Sequence, residues 1–103
     1  MKTLQEFGIS ELSSEQIEEL CLIAEESARK HIQSQVPLKL IEKLDVAAEV
    51  DQIMPVRLTV DVDLLLSPSF KTHDAKKLAE EAVARAFASA EKHLRELACR
   101  SRK

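Results

Sequence analysis

The sequence predicts an α+β fold: two helices packed on one face of a long antiparallel β-hairpin, in the order αββα. Three observations predict it. Apolar residues recur at three- and four-residue steps between 14 and 35, at every second residue between 44 and 66, and at helical steps again between 78 and 97. The chain of 103 residues suits one domain. It divides into an N-terminal lead-in (1–12), helix 1 (13–36), a strand-hairpin region (38–66), helix 2 (72–99) and a basic tail (100–103).

In the lead-in, Phe7 and Leu12 are the candidate anchors. Ser13 followed by Gln16 spells a capping box, in which each side chain satisfies a backbone donor that the helix start leaves open. Leu12 and Ile17 occupy the two positions of a hydrophobic staple. Glu15, Glu18 and Glu19 suit the positive end of the helix dipole, and Arg29, Lys30 and His31 the negative end. Pro37 stops the helix. Ile17, Leu20, Ala24, Ala28, His31 and Ile32 form its buried stripe, which Cys21 widens.

The hairpin follows from a period of two. Val46, Val50, Leu58, Val60 and Val62 should be dry, and Asp45, Glu49, Thr59, Asp61 and Asp63 should face outward. The turn falls within Gln52, Ile53, Met54 and Pro55. Residues 38–43 fit either a helical turn or the beginning of the first strand. Ser67, Pro68 and Ser69 break the second strand, and Thr72 is the expected cap of helix 2, with Asp74 in its first turn. Leu78, Ala82, Ala86, Ala90, Leu94 and Leu97 form the stripe of that helix, and its alanines allow a neighbouring backbone to come close.

Composition narrows the function. A net charge of −3 opposes general attraction to nucleic acid or anionic lipid. No apolar run approaches the roughly 20 residues of a membrane span, and no secretory signal follows Met1. The expected compartment is the cytoplasm. There Cys21 and Cys99 should be free thiols. A single glycine, Gly8, excludes phosphate-cradling loops, dinucleotide fingerprints and GxxG clamps. His31, His73 and His93 are scattered, without metal-ligand spacing. No cofactor, metal or catalytic residue is therefore expected.

One constellation stands out: Asp45, Glu49, Asp51, Asp61 and Asp63 on the wet face of the hairpin, with Arg57 opposing them. Its ordinary meaning is a sheet face kept charged for solubility. Its functional meaning is a surface for a basic partner, a specific cation site being poorly supported by the spacing. The basic end, Arg95, Arg100, Arg102 and Lys103, is too short a cluster to give much affinity for RNA.

The segments LSSEQIEELCLIAEESARKHIQSQVP, LDVAAEV, LTVDVDLLLSP and AEEAVARAFASAEKHLREL together resemble a small archaeal family of unknown function. The resemblance spans nearly the whole chain, and its motifs are structural. It implies an αββα fold and a gene neighbourhood that includes the beta subunit of the chaperone prefoldin. It carries over no catalytic residue.

The expected function is a non-enzymatic protein-interaction or assembly module. The alternatives are an accessory protein in tRNA-related work and an enzyme of unrecognised type. A lone hairpin leaves two edges unpaired, so a homodimer is expected, with a four-stranded sheet across the two subunits as the way to pair them. The second strand, 56–66, is richer in β-branched residues and is the preferred pairing edge, with the first strand as the other candidate.

Overall fold

The computed structural model describes residues 2–7, 12–53, 56–68 and 75–100, with the side chains of 52–53 and 98–100 outside that set. Within it the chain forms β1 (Lys2–Phe7), α1 (Ser14–Gln35), a 3₁₀ turn (Leu38–Leu40), β2 (Ile41–Ile53), β3 (Val56–Leu66) and α2 (Ala75–Arg100). The helix–hairpin–helix order is as expected. The sheet has three strands rather than two, in the order β1-β3-β2, all antiparallel.

The expected cap begins α1. Gln16 N–H donates to Ser13 Oγ (3.1 Å), and Ser13 N–H donates to Gln16 Oε1 (2.9 Å). Leu20, Ala24, Ala28 and Ile32 are fully buried along one stripe. Val36 N–H bonds the Ile32 carbonyl and closes the helix before Pro37. The 38–43 segment resolves into the 3₁₀ turn followed by the start of β2. Leu40 is tied to the far end of β3 through its carbonyl, which accepts from Ser67 N–H. Ser69, the expected cap Thr72, Asp74, Gly8 and the turn residues Met54 and Pro55 lie outside the described residues. Helix α2 runs to Arg100, which the sequence assigned to the tail.

Both helices pack on one face of the sheet and lie antiparallel to each other. Their pairing is read from three contacts. His31 Nε2 lies 3.3 Å from Glu81 Oε1, Ser27 Oγ lies 2.8 Å from Ser89 Oγ, and His93 Nε2 lies 3.4 Å from Glu19 Oε1. The last contact falls outside hydrogen-bonding geometry. Ser27 donates to the Arg85 carbonyl, so Ser89 donates to Ser27. Ala82, Ala86 and Ala90 are fully buried, as the stripe of small residues requires for close helix packing.

The core sits over β3. Val56, Leu58, Val60 and Val62 are buried, whereas Leu44, Val46, Ala48 and Val50 of β2 are half-buried against the same core. The difference follows from position: β3 is central and β2 is an edge. The register has the expected parity, with Val60 and Val62 inward and Asp63 exposed.

Three expectations need correction. The lead-in contains a strand, residues 2–7, paired from Lys2↔Asp61 to Phe7↔Val56; its expected anchors hold, with Phe7 in the core and Leu12 packed against it. The second hairpin strand, preferred above as the dimer edge, has no outer edge along 56–61, because β1 occupies it. Thr59 points to the open face as expected but is only 3% exposed. On the middle strand it lies between Leu4 and Glu49, and Asp51 accepts from its hydroxyl at 3.5 Å.

Candidate protein-interaction surface

The sheet face away from the helices is the candidate surface. Alternation along each strand decides what stands on it. From β2 come Lys43, Asp45, Ala47, Glu49 and Asp51, and from β3 Arg57, Thr59, Asp61, Asp63 and Leu65. From β1 come Lys2, Leu4 and Glu6. All five carboxylates singled out in the sequence therefore share one face. Asp45 stands opposite Asp63, Glu49 opposite Thr59, and Asp61 is flanked by Ala47 and Lys2.

The face is less uniformly acidic than the sequence reading implied. That reading set one cation, Arg57, against five acids. The structure adds Lys2 and Lys43, and one more acid, Glu6. Lys43 Nζ reaches Asp45 Oδ2 at 3.5 Å between exposed side chains, which relieves the like-charge pairing of Asp45 with Asp63. Lys2 and Glu6 went unread because a charged-polar stretch with one leucine between them has no apolar alternation to flag a strand.

On this face Asp51 pairs closely with Arg57. Arg57 Nε donates to Asp51 Oδ1 at 2.7 Å while Thr59 Oγ1 donates to Oδ2 at 3.5 Å. The Arg57 hydrogen bond holds the Asp51 carboxyl below its ordinary range. Asp51 in turn raises Arg57, with Glu6 adding a smaller push in the same direction. A register shift between Val50 and Gln52 aims Asp51 at Arg57.

Grooves flank the sheet on both sides. One, between α1 and β2, is lined by Ile17, Cys21, Leu22, Glu25, Ala48 and Val50. Here α1 reaches the outer edge of β2: Ala48 N–H donates to Glu25 Oε2 at 3.1 Å, and Val50 N–H faces the Cys21 sulfur. Burial, and then Glu25, push the Cys21 thiol up, so it stays protonated and packs as a small apolar group. The second groove lies between β1 and α2. Among the described residues, no three His, Cys, Asp or Glu side chains gather in a way that could hold a metal ion, and no helix is long and apolar enough to cross a membrane.

Residues 9–93 match the model of a family described as a protein of unknown function, DUF3194. The chain belongs to this family. It is 32% identical over 91 residues to the uncharacterized protein TK0644 of Thermococcus kodakarensis, covering 88% of this chain and 83% of that one. A crystal structure of a protein from Thermococcus onnurineus NA1 superposes with a TM-score of 0.79 at 29% identity, over 97% of this chain and 96% of that one. The solution structure of the hypothetical protein mth677 from Methanothermobacter thermautotrophicus shares the fold, with a TM-score of 0.68 at 21% identity over 87% and 97% of the two chains. The family expected from the sequence motifs is the family found. Its matched span begins after β1, so the strand that completes the sheet of this DUF3194 chain lies outside it.

Proposed function

We propose that this protein is a non-enzymatic interaction or assembly module of the cytoplasm, a homodimer whose open sheet face receives a basic segment of another protein. One observation carries the reading. Both helices cover the same side of the sheet, which leaves Asp45, Glu49, Asp51, Asp61 and Asp63 together on the other. Glu25 accepts from Ala48 N–H at the β2 edge, and Arg57 donates to Asp51 on the face itself. An acidic surface recruits a basic partner through complementarity and repels nucleic acid.

The test is comparative. Asp45→Asn, Glu49→Gln and Asp63→Asn are combined in one chain, all three being exposed and outside the core. Wild type and variant are used as baits in the native host, with quantitative mass spectrometry of what co-purifies. A partner with a basic segment that is depleted on the variant, while the variant's circular dichroism and melting are unchanged, supports the reading. Equal recovery on both baits refutes it.

A further inference from the structure

Beyond Asp61 the outer side of β3 adjoins the start of α2 at Ala75, Lys76 and Ala79; the β2 and β1 edges differ in kind. The β2 edge carries register shifts near both ends and is blocked in the middle, where Glu25 and Cys21 of α1 occupy the Ala48 and Val50 amides. Bulges and covered amides are two of the ways proteins prevent strand addition. The β1 edge has neither of these, and its only protections are its six-residue length and the charges of Lys2 and Glu6. Its register against β3 is continuous from Lys2 to Phe7, and its outer side pairs with no strand among the described residues.

We infer that the homodimer forms through β1, by antiparallel pairing of the two copies about a two-fold axis at Leu4, giving a six-stranded sheet. The inference rests on the self-association part of the function proposed above and names its edge, register and partner: a second copy of this chain. Charge complementarity selects the register. An antiparallel pair centred on Leu4 sets Lys2 opposite Glu6 of the partner subunit, and Glu6 opposite Lys2 of the partner subunit. No other centre within the strand does so. The neighbouring strands extend the pattern, because Lys2 already stands beside Asp61 and Glu6 beside Arg57. The row across the interface then reads Asp61, Lys2, Glu6 of the partner subunit, Arg57 of the partner subunit, alternating in sign at every step. Leu4, 56% exposed in the single chain, meets its own copy on the axis.

The other side of the sheet fits the same axis. A groove of about 550 Å³ runs between β1 and α2, with Thr3 and Gln5 on one wall and Val83, Ala84, Phe87 and Ala88 on the other, and with Glu80 and Glu91, the latter paired with Arg95, at the two ends of the α2 wall. Thr3 and Gln5 bracket Leu4, so the groove is centred where the axis passes. A two-fold normal to the sheet brings the second copy of α2 over the same groove. Three strand spacings separate the two β3 strands by about 14 Å. Because α2 lies over β3 and beside β1, the two α2 helices approach to roughly the 10 Å of packed helices, with the small side chains of Ala84 and Ala88 at the contact. Thr3 then faces Gln5 of the partner subunit, a polar pair that suits a position covered only on dimerisation.

The experiment uses the full chain at micromolar concentration under reducing conditions, with mass read by light scattering. Wild type should give twice the chain mass. Lys2→Glu and Glu6→Lys should each weaken self-association by roughly tenfold or more, since each places like charges opposite one another twice. An equimolar mixture of the two variants should restore the dimer. In the mixed pair one strand carries acids at both positions and the other carries bases at both, so every charge meets its opposite. A merely structural role for either residue would not be rescued by mixing. Separately, Leu4→Cys in a Cys21→Ala, Cys99→Ser background should oxidise to a covalent dimer, the Cα separation of about 4.5–5.5 Å across an antiparallel pair suiting a disulfide. Asp45→Cys in the same background should not. A dimer indifferent to both charge variants and resistant to the Leu4→Cys crosslink overturns the β1 assignment and leaves self-association standing. A monomer throughout overturns both, and neither outcome touches the partner test of the acidic face.

Discussion

Ser13 shows how much a single residue decides. Its hydroxyl oxygen and the Gln16 side chain satisfy each other's backbone amides, and they set where α1 begins. Ser13→Ala should lower stability by about 1 kcal/mol, the usual cost of losing an N-cap oxygen. Urea denaturation should show a lower midpoint with an unchanged slope. Asp51 is the other residue whose environment has a measurable consequence. Its carboxyl is held below the ordinary range by Arg57, so the folded state binds that proton less readily than the unfolded state. The stabilisation is therefore complete above the ordinary aspartate value and is lost as pH falls through the lowered folded value. An NMR titration should find the Asp51 midpoint below the ordinary aspartate value. Arg57→Ala should move it upward, and an unmoved midpoint would assign the shift to another cause.

At the scale of elements, the contest is over the sheet edges. A strand of 13 residues on the outside of a sheet invites another strand. Helix α1 answers with two side chains one turn apart, Cys21 and Glu25, which face successive outward amides of β2. Glu25→Ala should leave the Ala48 amide without its acceptor. Hydrogen exchange at Ala48 should then accelerate severalfold relative to amides bonded within the β2–β3 ladder, while Leu58 and Val60 keep their protection. Equal exchange before and after the substitution would mean that the contact closes nothing. Glu25 belongs to a run of acids in α1, and no pattern in that run distinguishes it. Its role depends on the angle at which α1 crosses β2.

The whole molecule is elongated, with extents of 53 × 22 × 19 Å, because long strands and long helices share one axis. A thin body of this kind has little spare core, so the six residues of β1 matter beyond their number. Phe7 is 7% exposed and joins the core beside Val56. Phe7→Ala should cost about 3 kcal/mol, the lower end for a buried phenylalanine because the site lies at the sheet's edge. A thermal or urea midpoint within error of wild type would show that β1 adds nothing to the fold.

What the sequence determined by itself is what depends on neighbours along the chain. The Ser13 cap is four residues of local hydrogen bonding, the α1 and α2 stripes follow a rotation of about 100° per residue, and the inward valines of β3 follow from a two-residue period. These gave the elements, the wet face and the family likeness. Tertiary structure decided everything that pairs distant segments. Lys2–Phe7 has no apolar alternation, and it becomes a strand only because the outer side of β3 offers it a ladder and Phe7 a place in the core. That one addition moves β3 from edge to centre, buries Thr59 on a face meant for solvent, and brings Lys2 and Glu6 among the acids. Backbone hydrogen bonding between strands carries almost no sequence code, since every residue but proline has the same donor and acceptor. Which strands pair, and which edge is left open, is settled only when the chain is folded.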